Sequence, residues 1–224
     1  MDAARTRGFV DRNTAWVLVA ALAAGLGLWA GQAWFATRGA PAANAETATR
    51  PALQAVRLFN APRPIPAFRL EGERGALGPA DLAGRWTLVF LGFTHCPDIC
   101  PTTLAMLARA QDAWRKLPEA QRPRVLFVSV DPERDPPAKV AGYARFFHAD
   151  TLAATTAEPA LGDFVQSLGM VYMKVPQPGG DYMMDHSSTM VLLDPQGRQA
   201  GLIRPPFDAA AIGSDLATLA KDAP

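Results

Sequence analysis

The sequence predicts an α/β domain, a sheet flanked by helices, carried behind one N-terminal membrane-spanning helix. Three observations lead there. Apolar runs of strand length alternate with helical stripes along most of the chain. A stretch of about 22 mainly apolar residues stands near its start. Both cysteines of the 224 residues, Cys96 and Cys100, fall in one loop between a strand and a helix.

The first element is the apolar run over residues 15–36, "AWVLVAALAAGLGLWAG" and its continuation past Gln32. As a helix of about 1.5 Å rise per residue it just crosses a hydrocarbon core about 30 Å thick. Trp16 stands at one end, and Trp29, Trp34 and Phe35 at the other, where amphipathic rings prefer the interface. Arg5, Arg7 and Arg12 precede the run and Arg38 follows it, so the positive-inside bias keeps residues 1–14 cytoplasmic and exports the rest. The A-x-A site at Ala43 to Ala45 offers cleavage as the rival reading. It lies well past the apolar run, which is itself long for a signal peptide, and an uncleaved anchor is preferred. A transit peptide is disfavoured, because acidic residues flank the run and the segment holds no serine. These features imply a bacterial cytoplasmic membrane protein, single-pass, with its C-terminal domain in the periplasm. Residues 37–66, rich in alanine and proline and ending in "APRPIPAF", read as a tether; an irregular arm packed on the domain is the other reading.

The domain is expected over residues 67–224. Thr87 to Phe93 is an unbroken apolar run, the mark of a strand covered on both faces. Leu104, Leu107, Trp114 and Leu117 form a helical stripe after the cysteine loop, and Val125 to Val130 form a second buried strand. Helices follow over Pro137 to Phe147 and Glu158 to Leu168, then a short strand from Met170 to Val175. "STMVLLDPQGRQAGLIR" reads as a hairpin turning at Asp194 to Gly197, and a last helix runs from Asp208 to about Lys221. Strand, cysteine loop, helix, later hairpin and terminal helix together suit a thioredoxin-like fold.

Composition excludes some functions. A formal charge of +1 gives no basic excess, so no nucleic-acid partner is expected. Two cysteines are too few for a disulfide scaffold. The chemistry therefore rests on the loop "FTHCPDICP". Pro101 opens a helix, so both sulfurs sit near its N-terminus, where the dipole favours thiolate, while Asp98 opposes it. Three readings compete: a Cys96/Cys100 redox couple with C-x3-C in place of the usual C-x-x-C; a soft metal site for Cu(I) or zinc; and plain space-filling, a poor fit to a proline-flanked polar loop. A metal needs a third donor. His95 points away from its neighbour Cys96, and His148 belongs to a helix end. His186 precedes a strand that the thioredoxin-like topology runs antiparallel to the first, which brings it toward the cysteines.

"FTHCPDICP", then "VSVDPERDPP" from Val128, then "DHSSTMVLLDPQG" from Asp185, together resemble the SCO/SenC family of copper chaperones over Phe68 to Leu219. The resemblance implies one copper held by Cys96, Cys100 and His186, as Cu(I) and with a weak further donor as Cu(II). Asp98, Asp185 or a water are candidates for that donor. It also implies service to the binuclear copper centre of cytochrome c oxidase, by delivering copper or by reducing the cysteines that hold it. The expected partners are a copper-receiving oxidase subunit and an upstream copper donor. Met183 and Met184 read as apolar surface for a partner before they read as thioether ligands. Asp185 orients the imidazole or caps a turn, and Asp131 or Asp135 caps the start of a helix, with no metal role. A catalytic thiol–disulfide oxidoreductase is the alternative, although "DHSSTM" lacks the proline thioredoxins place beside their cysteines.

Overall fold

The computed structural model describes residues 12–38 and 52–221, in two compact units divided near Arg50. The first unit contains helix α1 (Arg12–Arg38). Within it Trp16–Trp34 is long and apolar enough to cross a membrane, with its apolar side chains exposed throughout. The N-terminal arginines Arg5 and Arg7, the Ala43 to Ala45 site and residues 39–51 of the expected tether lie outside the described residues.

The second unit is a mixed sheet of eight strands with helices packed on it. Its strands in chain order are β1 (Val56–Arg63), β2 (Leu70–Gly72), β3 (Gly75–Leu77), β4 (Thr87–Gly92), β5 (Arg124–Ser129) and β6 (Leu152–Thr155), then, after a separate pair, β9 (Met190–Leu193) and β10 (Gln199–Ile203). The spatial order is β1-β10-β9-β4-β5-β6-β2-β3. The separate pair is β7 (Tyr172–Pro176) with β8 (Tyr182–His186). The helices are α2 (Pro79–Leu82), α3 (Ile99–Trp114), α4 (Pro137–Phe147), α5 (Ala160–Ser167) and α6 (Ala209–Lys221).

β4 and β5 are buried at every position and run parallel, as unbroken apolar strands between helical layers should. β9 lies antiparallel to β4, with Thr87 opposite Leu193 and Val89 opposite Val191. This is the direction the sequence reading required. α3 and α6 pack on each other, and the buried Trp114 indole donates to the Gly213 carbonyl at 3.0 Å.

The start of the domain differs from the expectation. The boundary at residue 66/67 falls too late, because Val56–Arg63 is a sheet strand rather than tether, paired antiparallel to β10. The buried Asp215 carboxylate on α6 accepts the backbone N–H groups of Gln54, Ala55 and Val56 at 2.7 to 3.1 Å and pins the strand's entry. Pro62 hides this strand from a sequence reading, and the sheet tolerates it because β1 is an edge. Gly201 permits the close pairing, since a Cβ there would stand 2.7 Å from the Arg57 carbonyl oxygen. The reading also passed over β2, β3, β6 and β8, all five residues or shorter.

Candidate metal centre

β4 ends at Gly92, and the chain turns at once, with Cys96 N–H donating to the Phe93 carbonyl at 3.3 Å. Cys96 is half-buried. Cys100 sits in the first turn of α3, fully buried, and both are free thiols. The Cys96 sulfur accepts from the Cys100 backbone N–H at 3.4 Å, so it occupies the place of a helix cap. Gly92 makes room for this arrangement. A Cβ there would meet the Phe127 ring at 2.5 Å and Cys100 Sγ at 2.9 Å.

His186 arrives from the other side, as the last residue of β8 and not merely as a loop residue before β9. Its Nδ1 stands 3.1 Å from the Ser187 carbonyl oxygen, which can only accept. The proton therefore sits on Nδ1 and the lone pair on Nε2, which lies 3.7 Å from Cys100 Sγ. Phe90 and Phe93 hold the ring edge-on, with centroids at 6.3 and 6.2 Å. Burial pulls the His186 pKa below its ordinary value, which keeps the imidazole neutral and able to ligate. Burial likewise pushes the Cys100 thiol up, outweighing the hydrogen bond from the Phe93 backbone. The expected preference for thiolate at the helix N-terminus therefore does not hold for metal-free Cys100. The reason is that the sulfur lies inside the core.

The turn after β5 ties these pieces together. Asp135, fully buried, accepts from Thr94 N–H at 2.7 Å, Thr94 Oγ1 at 2.5 Å and Ser129 Oγ at 2.7 Å, with Lys139 Nζ at 3.3 Å. Burial alone would raise its pKa, but these donors hold it below the usual carboxylate value. Asp131 accepts from Tyr182 Oη at 2.8 Å and Arg134 Nε at 2.6 Å. One carboxylate thus fixes the cysteine loop and the other fixes the strand that carries His186. Sequence reasoning gave one or the other of them the role of a helix cap; the acid-rich "DPERD" after a buried strand was the available signal.

The remaining candidates fall elsewhere. His95 turns to Asp135 at 3.7 Å and Lys139 at 3.5 Å. His148 closes α4 and receives the Asp150 N–H at 3.1 Å. Asp98 precedes α3 and meets Thr102 Oγ1 at 3.4 Å; Asp185 is exposed, opposite Met173. Met184 is buried and Met183 packs on the core. Among the described residues no group of three His, Cys, Asp or Glu side chains is gathered closely enough to hold a metal. Cys100 and His186 are paired, Cys96 stands beside Cys100 along the helix start, and the trio is not closed into a cage.

The chain has relatives among known proteins. The chain is 38% identical over 135 residues to the mitochondrial SCO1 homolog 1 of Arabidopsis thaliana, an alignment that takes in 59% of this chain and 39% of that protein. Copper-bound ScoI from Bradyrhizobium japonicum superposes with a TM-score of 0.63 at 32% identity, covering 69% of this chain and 98% of the other. Copper-bound ScoI from Arabidopsis thaliana gives the same TM-score at 31% identity, covering 70% and 96%. The sheet and its helices are therefore the thioredoxin-like fold of those proteins. Residues 60–221, which include both cysteines, the "DPERD" turn and His186, match the SCO1/SenC family, and the chain belongs to it.

Proposed function

We propose that this protein is a membrane-anchored copper carrier that takes up one Cu(I) through Cys96, Cys100 and His186. It passes the ion by ligand exchange to the copper-receiving subunit of a respiratory cytochrome oxidase. The observation that carries this reading is the lone pair of a half-buried, neutral imidazole 3.7 Å from a cysteine sulfur, with a second cysteine in the same loop. Two soft sulfurs and one nitrogen suit trigonal Cu(I). The copper-bound state of the related ScoI proteins supports the same ion here. Cargo suits the half-open geometry. Cys96, the accessible sulfur, closes the site on uptake and is the first donor an incoming soft ligand displaces. His186 and Cys100 then yield in turn. An upstream donor fills the site, and α1 keeps the domain at the periplasmic face of a bacterial membrane. With an added weak donor the same set accommodates Cu(II).

The test is anaerobic Cu(I) titration of the full chain in detergent against a competing chelator, beside His186→Ala. Loss of a ligand should weaken binding by roughly 100-fold or more, beyond the 10–100-fold typical of supporting residues. Equal affinity in the two proteins would overturn the ligand set.

A second reading draws on the contrast between half-exposed Cys96 and buried Cys100. In a thiol–disulfide reductase Cys96, as thiolate, attacks a partner disulfide and releases one partner thiolate. Cys100 then displaces the second, leaving Cys96–Cys100 oxidised and the partner reduced. Cys100→Ser would trap the mixed disulfide on Cys96.

A further inference from the structure

A cleft of about 580 Å³ opens at the end of the sheet where β4 and β5 begin, away from the cysteines. Six arginines line it: Arg74, Arg85, Arg115, Arg122, Arg124 and Arg145. Four acids line it too, but two are already engaged. Glu73 meets Arg145 through both carboxylate oxygens, and Asp81 accepts the Gly78 N–H at 2.8 Å. Arg115 has its partner in Asp112, at 3.4 Å. Arg74, Arg85, Arg122 and Arg124 have no carboxylate of the described residues at ion-pair distance, and Glu119 and Asp150, the other two acids, pair with none of them.

Backbone carbonyls, not carboxylates, hold three of these four. Arg124 donates to Asp81, Leu82 and Ala83, and its Nε is buried with no partner. Arg122 donates to Leu117 and Arg115 at 3.0 and 3.2 Å. Arg85 donates to Glu119 at 3.3 Å, which engages one of its five N–H groups. A carbonyl oxygen satisfies an N–H but leaves the cation's charge in place. The effect is visible at Arg124, whose pKa is pulled down by burial and then by the charge of Arg85. Burying a guanidinium beside another, with no counter-charge, costs stability that a bound anion would restore.

We propose that this cleft is an anion site, separate from the copper centre, that takes a phosphate group carried by a small molecule or by a lipid headgroup. Arg74 and Arg85, the two least engaged by the fold, donate to the phosphate oxygens. Arg122 and Arg124, fixed by their carbonyls, supply the positive floor. A guanidinium fork matches either a carboxylate or a phosphate through two parallel N–H groups. Several forks facing one space favour the phosphate, since a carboxylate offers only the two oxygens that one fork occupies. The volume falls in the range of about 300–1,000 Å³ usual for small-ligand sites and exceeds what a bare ion fills.

The test is calorimetric titration of the full chain in uncharged detergent at low, fixed salt, once with inorganic pyrophosphate and once with glycerophosphoglycerol, a soluble lipid headgroup. One equivalent of at least one of them should bind. Glycerophosphoglycerol binding as tightly as pyrophosphate, despite its lower charge, assigns the lipid headgroup; pyrophosphate binding alone assigns a free phosphorylated molecule. Arg85→Gln should weaken binding roughly tenfold or more, the worth of a charged hydrogen bond. Arg74→Gln, which removes no hydrogen bond within the described residues, should weaken it in the same direction with an unchanged melting temperature. Arg204→Gln is the control for general charge attraction, because exposed Arg204 follows β10 and stands outside the cleft. Binding of neither probe overturns the proposal. So does binding that survives both cleft variants, or that falls equally in Arg204→Gln. The outcome is independent of the copper reading, since Cys96, Cys100 and His186 do not line this cleft.

Discussion

The two ends of the central sheet each bury a charge, and they use it differently. At the end where β5 begins, Arg124 is 9% exposed and donates to the carbonyls of Asp81, Leu82 and Ala83 at 2.6 to 3.0 Å, with no carboxylate of the described residues at ion-pair distance. Burial, and then neighbouring Arg85, pull its pKa down to about 10. It borders a cleft of about 580 Å³ shared with Arg85 and Arg122. Those two also donate to backbone carbonyls, of Glu119 for one and of Leu117 and Arg115 for the other. That end is a set of closed helix and turn termini. At the opposite end, where β4 and β5 finish, Asp135 accepts from the loop that carries the cysteines. Both charges answer unpaired backbone groups, but only the second is coupled to reactive side chains. A buried charge is costly anywhere, so it persists where it holds irregular backbone in place.

The largest effect should follow removal of the charge at the reactive end. Asp135→Ala strands the Thr94 N–H and Ser129 hydroxyl and leaves Lys139 without its anion. It should cost about 3–5 kcal/mol of unfolding free energy, as removal of one partner of a buried ionic group does. Copper affinity of the still-folded protein should fall as well. Urea unfolding and Cu(I) competition on the same sample check both, and undiminished copper binding would uncouple the carboxylate from the site. Arg124→Met should cost less, about 1–3 kcal/mol for the buried carbonyls it leaves unmet, and should leave copper affinity as it was. A loss of affinity there would erase the distinction between the two ends.

The smallest effect is a pH dependence confined to the reactive end. The folded His186 pKa is lowered from 6.5, so the unfolded chain takes up a proton first as pH falls below that value. The stability from neutral His186 is complete above the unfolded pKa and is lost as pH falls through the folded one. Cys100 acts in the other direction. Its pKa is raised from 9.0, so its stabilising effect is complete below that value and fades as pH rises above it. Melting curves of metal-free protein should decline on both sides. His186→Gln should flatten the acid side alone, and an unchanged acid limb would assign it to another group.

Much of this was legible before any coordinates. Thr87–Gly92 and Arg124–Ser129 declare themselves because a strand covered on both faces needs apolar side chains at every position. The Asp194–Gly197 turn and the helix after Pro101 are likewise written in local residue chemistry. The cysteine loop could be placed between strand and helix for the same reason. β1 could not, because Arg57, Asn60, Pro62 and Arg63 look like linker residues until Asp215, some 160 positions away, supplies acceptors for the adjoining backbone. Nor could β6, since "LAAT" has neither a β-branched run nor an alternation to mark it.

The sequence by itself determined the sheet's central strands, the apolar N-terminal span and the identities of three soft or borderline donors, because each is a property of neighbours along the chain. Tertiary structure decided which donors meet. His186 reaches Cys100 across 86 positions because β9 runs antiparallel to β4 and β8 ends beside the cysteine loop. It also decided that Asp131 and Asp135 brace the two sides of the site, and that Arg85, Arg122 and Arg124 share one cleft. Such pairings depend on packing between segments far apart in sequence, and the local periodicity of an apolar run does not encode which polar group will stand opposite another.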